Sequence, residues 1–228
     1  MRKGELEDPH LKMKLFMLFV ATAVAVFGVS PLYADTPISI QNASFETYNP
    51  LTSACGTGCA FNHGPIPGWT GTGGSWEPNS TYFNTPPPDG SIVAYTSGGT
   101  ISQDLGVTLL SNSIYTLSVF VGNRLDGDSG IYSIAIDAGG TMLDSLSGNS
   151  HSILAGTFAD EILIFSTGST VTPGDLSIVL SNPSGGQADF DDVTLTVAPN
   201  AAVPEPTSLV LLLFGAAILG LFSLLRRA

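Results

Sequence analysis

Positive charge is what this sequence most lacks. Between Asp35 and Val197 it carries fifteen carboxylates and a single base, Arg124. Nucleic acid is thereby excluded as a partner, because its phosphates would be repelled, whereas cations and neutral ligands stay open. The other basic residues sit near the two ends, so the formal net charge of -12 understates the acidity of the middle. Histidine is scarce as well, with His63 and His151 in that stretch and no recognisable partner for either. No Gly-x-Ser-x-Gly occurs, which removes the usual hydrolase nucleophile turn. A glycosidase needs two carboxylates beside a cleft, and spacing singles out no pair. The expectation is therefore a protein that is not an enzyme. Sustained helical periodicity is absent, and so is any repeat of solenoid length. No flat threonine array is readable from the spacing, which disfavours ice binding.

Cysteine occurs twice, at Cys55 and Cys59. Outside the cytoplasm such a pair reads as a disulfide, and the flexible Gly56-Thr57-Gly58 lets a small ring close. His63 follows at the same spacing, so a Cys55/Cys59/His63 metal site and free thiols are the alternatives.

Long apolar runs are confined to the ends. Residues 207–225 carry no charge and are followed by Arg226 and Arg227. As a helix that run would span roughly 28 Å, close to a bilayer's hydrocarbon core. Two cations behind it would stay cytoplasmic, leaving the preceding chain outside. A buried core helix is the alternative, but the run has no amphipathic stripe. At the other end Lys12 and Lys14 precede an apolar run over 15–29 and a small residue, Ala34. That order is a secretory signal peptide cut after Ala34. A permanent membrane helix is the alternative, for which the run is short. The acidic first residues leave the start open between Met1 and Met13. The expected organisation is a signal peptide over 1–34, one domain over 35–199 and a tail over 200–228.

The tail, with Pro204-Glu205-Pro206 ahead of its apolar run and Arg226-Arg227 behind it, resembles a PEP-CTERM sorting signal. The resemblance implies export across the inner membrane and a transient anchor there. It also implies handling by an exosortase near Pro-Glu-Pro, and a final place at the cell surface or in the extracellular matrix. The setting implied is a bacterium that makes exopolysaccharide and biofilm.

The middle of the chain reads as β structure. Apolar and polar residues alternate in Tyr115, Leu117, Val119 and Val121 and again in Tyr132, Ile134 and Ile136, as in half-buried strands. Further strands are expected over 161–166, 175–181 and 188–197. Runs over 91–96 and 100–105 are separated by Ser97-Gly98-Gly99, a hairpin signal. Together they predict an antiparallel sandwich. Residues 50–88 read as a long aromatic loop carrying Trp69, Trp76, Tyr82 and Phe83, and such loops commonly carry binding sites. Trp69 is expected to pin that loop to the core.

Several short landmarks follow in order: Asn42-Ala43-Ser44-Phe45-Glu46, Pro67-Gly68-Trp69, Asp89-Gly90, Ile101-Ser102-Gln103-Asp104-Leu105, Tyr115-Thr116-Leu117 and Phe190-Asp191-Asp192-Val193. The domain resembles the galactose-binding-like β-sandwiches, which include many carbohydrate-binding modules. The resemblance implies an all-β jelly roll, here flanked by an N-terminal signal helix and a C-terminal transmembrane helix. It also implies a structural calcium held by Glu46 and Asp191, with Asp192 and a group near Asp89. On the residues alone, Asp191 shares the parity of Val193, Leu195 and Val197 and so points inward, where an unpaired carboxylate is costly. Calcium would relieve that cost. A raised pKa, a cap of backbone amides, or a bulge turning Asp191 outward would do so too. Asp126-Gly127-Asp128-Ser129-Gly130 reads as a polar loop, since it lacks the later glutamate of a calcium hand.

These features favour a non-catalytic glycan-binding module, with extracellular polysaccharide as partner. Trp76, Tyr82, Phe83, Asn123 and Arg124 are the candidate ligand residues, because sugars want aromatic faces and planar hydrogen-bonding groups. The alternative is a structural matrix protein with no small ligand.

Overall fold

The computed structural model describes residues 35–200. Both expected terminal helices and the sorting residues Pro204, Glu205, Pro206, Arg226 and Arg227 lie outside them. The described chain runs β1 (Thr36–Pro37), β2 (Ser53–Gly56), β3 (Cys59–Phe61), β4 (Thr70–Gly71), β5 (Gly74–Glu77), β6 (Val93–Thr96) and β7 (Thr100–Thr108). It continues through β8 (Ser113–Asn123), β9 (Ile131–Ala138), β10 (Thr141–Asn149), one turn of 3-10 helix (Ser150–Ser152), β11 (Thr157–Ser166), β12 (Asp175–Ser181) and β13 (Ala188–Pro199).

Two antiparallel sheets form the sandwich. One has the order β11-β8-β13-β6-β5-β3-β2, with β1 also on β13; the other has β10-β9-β12-β7-β4. The inward rows are the alternating residues that the sequence marks. Leu117, Val119 and Val121 of β8 and Ile134 and Ile136 of β9 share one core with Ile178 and Leu180 of β12. Strand period two puts each such row on one face, and burying it between the sheets drives the fold. Trp69 does pin its loop to this core: it is buried 5.3 Å from the ring of Phe45, and its indole N–H donates to the Asn42 carbonyl.

Three expectations change. The turn at Ser97-Gly98-Gly99 does not join paired strands: β6 pairs with β5 and β13, while β7 pairs with β4 and β12 in the other sheet. The turn crosses the sandwich, and Asn182 holds it by accepting the Gly98 N–H at 2.8 Å. Residues 50–88 are no free loop, since β2 to β5 lie inside them. Those strands are two to four residues long, too short for periodicity to register. Strand β10 was not expected either; its alternating residues are largely exposed or half-buried, so no apolar row marks it.

The last strand bears on function most directly. Ala188 and Phe190 face the core, and so do Val193, Leu195 and Val197. The spacing slips by one between Phe190 and Val193, where the register against β8 shifts between Asp191 and Thr194. Asp192 takes a φ of 44° there. This β-bulge reverses the parity argument, because Asp191 lies on the face opposite Phe190 and not with Val193. Asp189 lies on that same outer face.

Candidate functional site

The outer face of the eight-stranded sheet carries a second apolar cluster. Along β6 and the residue before it, Ile92 and Ala94 face the main core, while Val93 and Tyr95 face outward with Trp76, Phe83 and Cys59. Cross-strand partners share a face, so the register places Tyr95 beside Gly74 and Asp189, and Asp189 beside Gly122. Two glycines make room. A Cβ on Gly74 would fall 2.6 Å from the Tyr95 ring, and one on Gly122 would meet the rings of Phe83 and Phe158 at 2.9 Å.

A cavity of about 360 Å³ opens on this face. Trp76, Tyr82 and Arg124 form one side of it. The Trp76 and Tyr82 rings meet edge to face at 5.1 Å, and the Arg124 guanidinium carbon lies 4.8 Å and 5.1 Å from their respective centres. Phe61, His63 and Tyr95 form another side. Asp128 and Gln187 close the rim together with Cys55. Cys55 and Cys59 are joined as a disulfide, which settles against the metal and free-thiol readings of that pair. His63 instead sets its Nδ1 3.2 Å from the Tyr95 hydroxyl, which itself donates to the Asn62 carbonyl.

Asp189 has no exposed surface and does not itself line the cavity; it sits behind two lining residues, Gln187 and its cross-strand partner Tyr95. One of its oxygens accepts a 2.6 Å hydrogen bond from the Gln187 amide, and the other has no partner. Burial pushes its pKa up to about 7, against the pull of the Gln187 hydrogen bond and the Arg124 charge; Asp126 and Asp128 push the same way as burial. Arg124 is clamped above it: Nε donates to Asp126 at 3.0 Å, and NH1 lies 3.6 Å from Asp128. The 126–130 segment is thus the polar loop expected. Ser129 accepts the Arg124 N–H, and Asp128 accepts the Gln187 N–H, which ties the loop to the start of β13.

Of the five ligand residues read from the sequence, Trp76, Tyr82 and Arg124 meet at the cavity. Phe83 lies behind Trp76, stacked on Phe158 at 4.4 Å. Asn123 is buried and spends its amide on the Ile153 carbonyl. Sequence reasoning missed Asp189, Gln187 and Tyr95. The available signal was Asp189 itself: a carboxylate is unusual within a strand, and β13 holds three.

The expected calcium residues also come together, though by backbone hydrogen bonds. Glu46 accepts the Ser91 and Ile92 N–H groups at 2.8 and 2.7 Å. Asp191 accepts the Asp89 N–H at 3.0 Å and the Asp192 N–H at 2.8 Å. Burial, partly offset by these amides and reinforced by Asp192 and Asp89, pushes the Asp191 pKa up to about 7. Three of the ways of easing a buried Asp191 are thus present together: amide caps, a raised pKa and a bulge. Among the described residues, no three metal-ligating side chains converge closely enough to share an ion.

The two buried acids imply a pH dependence. Each holds its proton more tightly folded than unfolded, so its stabilising contribution is complete below about pH 4 and fades as pH rises through about 7. In chelator-containing buffer the melting temperature is expected to fall between pH 5 and pH 8. Asp189→Asn should flatten that slope; an equally steep slope in the variant would contradict the assignment.

Comparison with known proteins now places the domain. The family model HpiC1-like, described as HpiC1 cyclase, matches residues 36–196. The chain belongs to the HpiC1-like family. A cyclase from Fischerella sp. TAU, solved in complex with 4-(1H-indol-3-yl)butan-2-one, superposes with a TM-score of 0.62 at 26% identity, over 73% of this chain and 100% of its own. The Stig cyclase Fisc from the same source, in complex with (3Z)-3-(1-methyl-2-pyrrolidinylidene)-3H-indole, gives 0.61 at 23%, over 74% and 100%. An apo cyclase from Fischerella sp. gives 0.59 at 22%, over 74% and 98%. No curated protein matches the chain. These findings overturn the expectation of a non-enzyme: an HpiC1-like domain is grouped with cyclases. The expectation rested on the lack of a recognisable local motif, and residues that lie together in this fold come from distant strands, as Asp189 of β13 and Tyr95 of β6 do. Residues 202–227 match the PEP-CTERM protein-sorting motif, which implies an exported, exosortase-handled protein.

Proposed function

We propose that this exported HpiC1-like protein is a cyclase that closes a ring in a flat, π-rich ligand of indole type. The observation that carries the reading is Asp189, a fully buried carboxyl with one unpartnered oxygen, hydrogen-bonded to Gln187 of the cavity lining. A cavity of about 360 Å³ is within the usual range for small-molecule sites. Asp189 would lend its proton to a basic atom or π bond of the ligand. The resulting cation would be stabilised by the Tyr95 ring, which Arg124 does not cover. Ring closure onto an internal π bond, followed by return of a proton to the carboxylate, leaves the atoms balanced as an isomerisation. The ligands of two of the Fischerella cyclases are indoles, which supports the substrate class. Titration of the full-length protein with 4-(1H-indol-3-yl)butan-2-one tests it. Saturable binding that Trp76→Ala abolishes is expected, and no binding at millimolar probe would overturn the substrate class.

Glycan binding is the second reading, favoured by the aromatic walls and the planar guanidinium of Arg124. Against it, Arg124 lies over Trp76 and Tyr82, the rings that a pyranose would stack on. Affinity for exopolysaccharide, retained in Asp189→Asn, would favour it.

Calcium is kept as a proposal supported by charge: Glu46 and Asp191 both accept backbone N–H groups of residues 89–92, and Arg124 is the domain's single base. The ion would be held by Glu46 and Asp191 and would neutralise buried charge, with no part in chemistry. Added calcium is expected to raise the melting temperature at pH 7.5, and Asp191→Asn to abolish that rise. An identical melting curve with calcium and with chelator would sink it.

A further inference from the structure

The Cys55–Cys59 disulfide is built into the cavity wall. Cys55 lines the cavity. The sulfur of Cys59 accepts the Trp76 indole N–H at 3.3 Å, and the Cys55 carbonyl accepts the Tyr82 hydroxyl at 3.4 Å. The small ring between the two cysteines is tied to the segment carrying Tyr82 by Asn79, which donates to the Thr57 carbonyl at 2.9 Å. At its base the β2–β3 hairpin is held by Asn62, whose N–H donates to the Ser75 carbonyl at 3.0 Å and whose own carbonyl accepts the Tyr95 hydroxyl at 2.7 Å. It ends its sheet, and its ladder to β5 has two rungs, Ala60 with Glu77 and Phe61 with Trp76.

We propose that the Cys55–Cys59 disulfide is part of the ligand site, a redox-set wall that holds Trp76 and Tyr82 in place, so that the cavity takes ligand only in the oxidised protein. The inference rests on the reading of this cavity as the ligand site. The cysteines are positioning residues. They touch the two rings and act on ligand through them. The ladder to β5 and Asn62 hold the base of the hairpin, and the cross-link fixes its tip; removing the cross-link frees the Cys59 sulfur and the Cys55 carbonyl to move away from the indole and the tyrosine together. In an exported protein the wall forms once the chain meets an oxidising compartment.

Reduction is a balanced exchange. Dithiothreitol supplies two electrons and two protons, the S–S bond becomes two thiols, and the reagent closes to its own disulfide. The test uses full-length protein in detergent carrying Trp69→Phe, which leaves Trp76 as its one tryptophan. On reduction, Trp76 emission is expected to rise and become more open to acrylamide, because the indole leaves a quenching disulfide. Affinity for 4-(1H-indol-3-yl)butan-2-one should fall about tenfold or more while the β-sheet circular dichroism holds. The Cys55→Ser/Cys59→Ser double variant should match the reduced protein. If reduced protein binds the probe as tightly as oxidised protein, the inference is overturned. If oxidised protein does not bind the probe, the substrate class fails. The inference is then decided by Trp76 alone: an indole just as shielded after reduction overturns it, and a newly exposed one upholds it.

Discussion

Asp189→Asn is expected to slow ring closure of an indole bearing a tethered alkene about 10²- to 10⁴-fold, the usual weight of general acid catalysis. Affinity for the unreactive indole probe should stay nearly unchanged, because asparagine keeps the shape and can still accept from Gln187. What it lacks is the proton. The pH profile separates this from damage to the fold. In the parent protein turnover should fall as pH passes about 7, where Asp189 ionises. The variant should lack that limb. Product formation followed by chromatography across pH 5 to 9 checks both statements. Parent-like turnover in the variant would remove Asp189 from the chemistry.

Arg124→Ala is expected to cost about 3 kcal/mol of stability, between the small value of an exposed ion pair and the larger cost of stripping one partner from a buried one. The Arg124 side chain is only 10% exposed. It faces Asp126, Asp128 and the buried Asp189 and covers two aromatic rings. Its loss leaves three carboxylates without their one nearby cation and uncovers the Trp76 and Tyr82 faces. For a domain of this size the melting temperature should drop by roughly 6–12 °C. Arg124→Lys should recover only part of this, since an ammonium keeps the charge and loses the planar stacking. Calorimetry decides; an alanine variant that melts with the parent would make Arg124 a surface residue in energetic terms.

Local patterning reached far into this chain and then stopped at identifiable places. The rows Tyr115–Leu117–Val119–Val121 and Tyr132–Ile134–Ile136 announced the sandwich, because period two is a property of neighbours along one strand. Trp69 was placed correctly, and so were the disulfide and the lone base among acids. Asp191 is buried as expected, but on the opposite face of its sheet, because a single extra residue at a bulge reverses which face a strand shows and nothing in Phe190-Asp191-Asp192-Val193 marks the slip. The turn at Ser97-Gly98-Gly99 was read as a hairpin because a tight turn looks the same whether it joins partners or crosses between sheets.

The amino-acid order by itself determined the all-β class, the acidic middle, the cysteine pair and the sorting motif, since each is written in composition or in residues adjacent along the chain. Only the tertiary structure decided which side chains come together. Asp189 meets Gln187 and lies beside Tyr95, while Trp76, Tyr95 and Arg124 reach one cavity from different parts of the chain, because strand pairing and the two sheet faces, not distance along the chain, set which side chains share a cavity. Burial, which turns an ordinary aspartate into an acid holding its proton near neutral pH, exists only once those strands have closed around it.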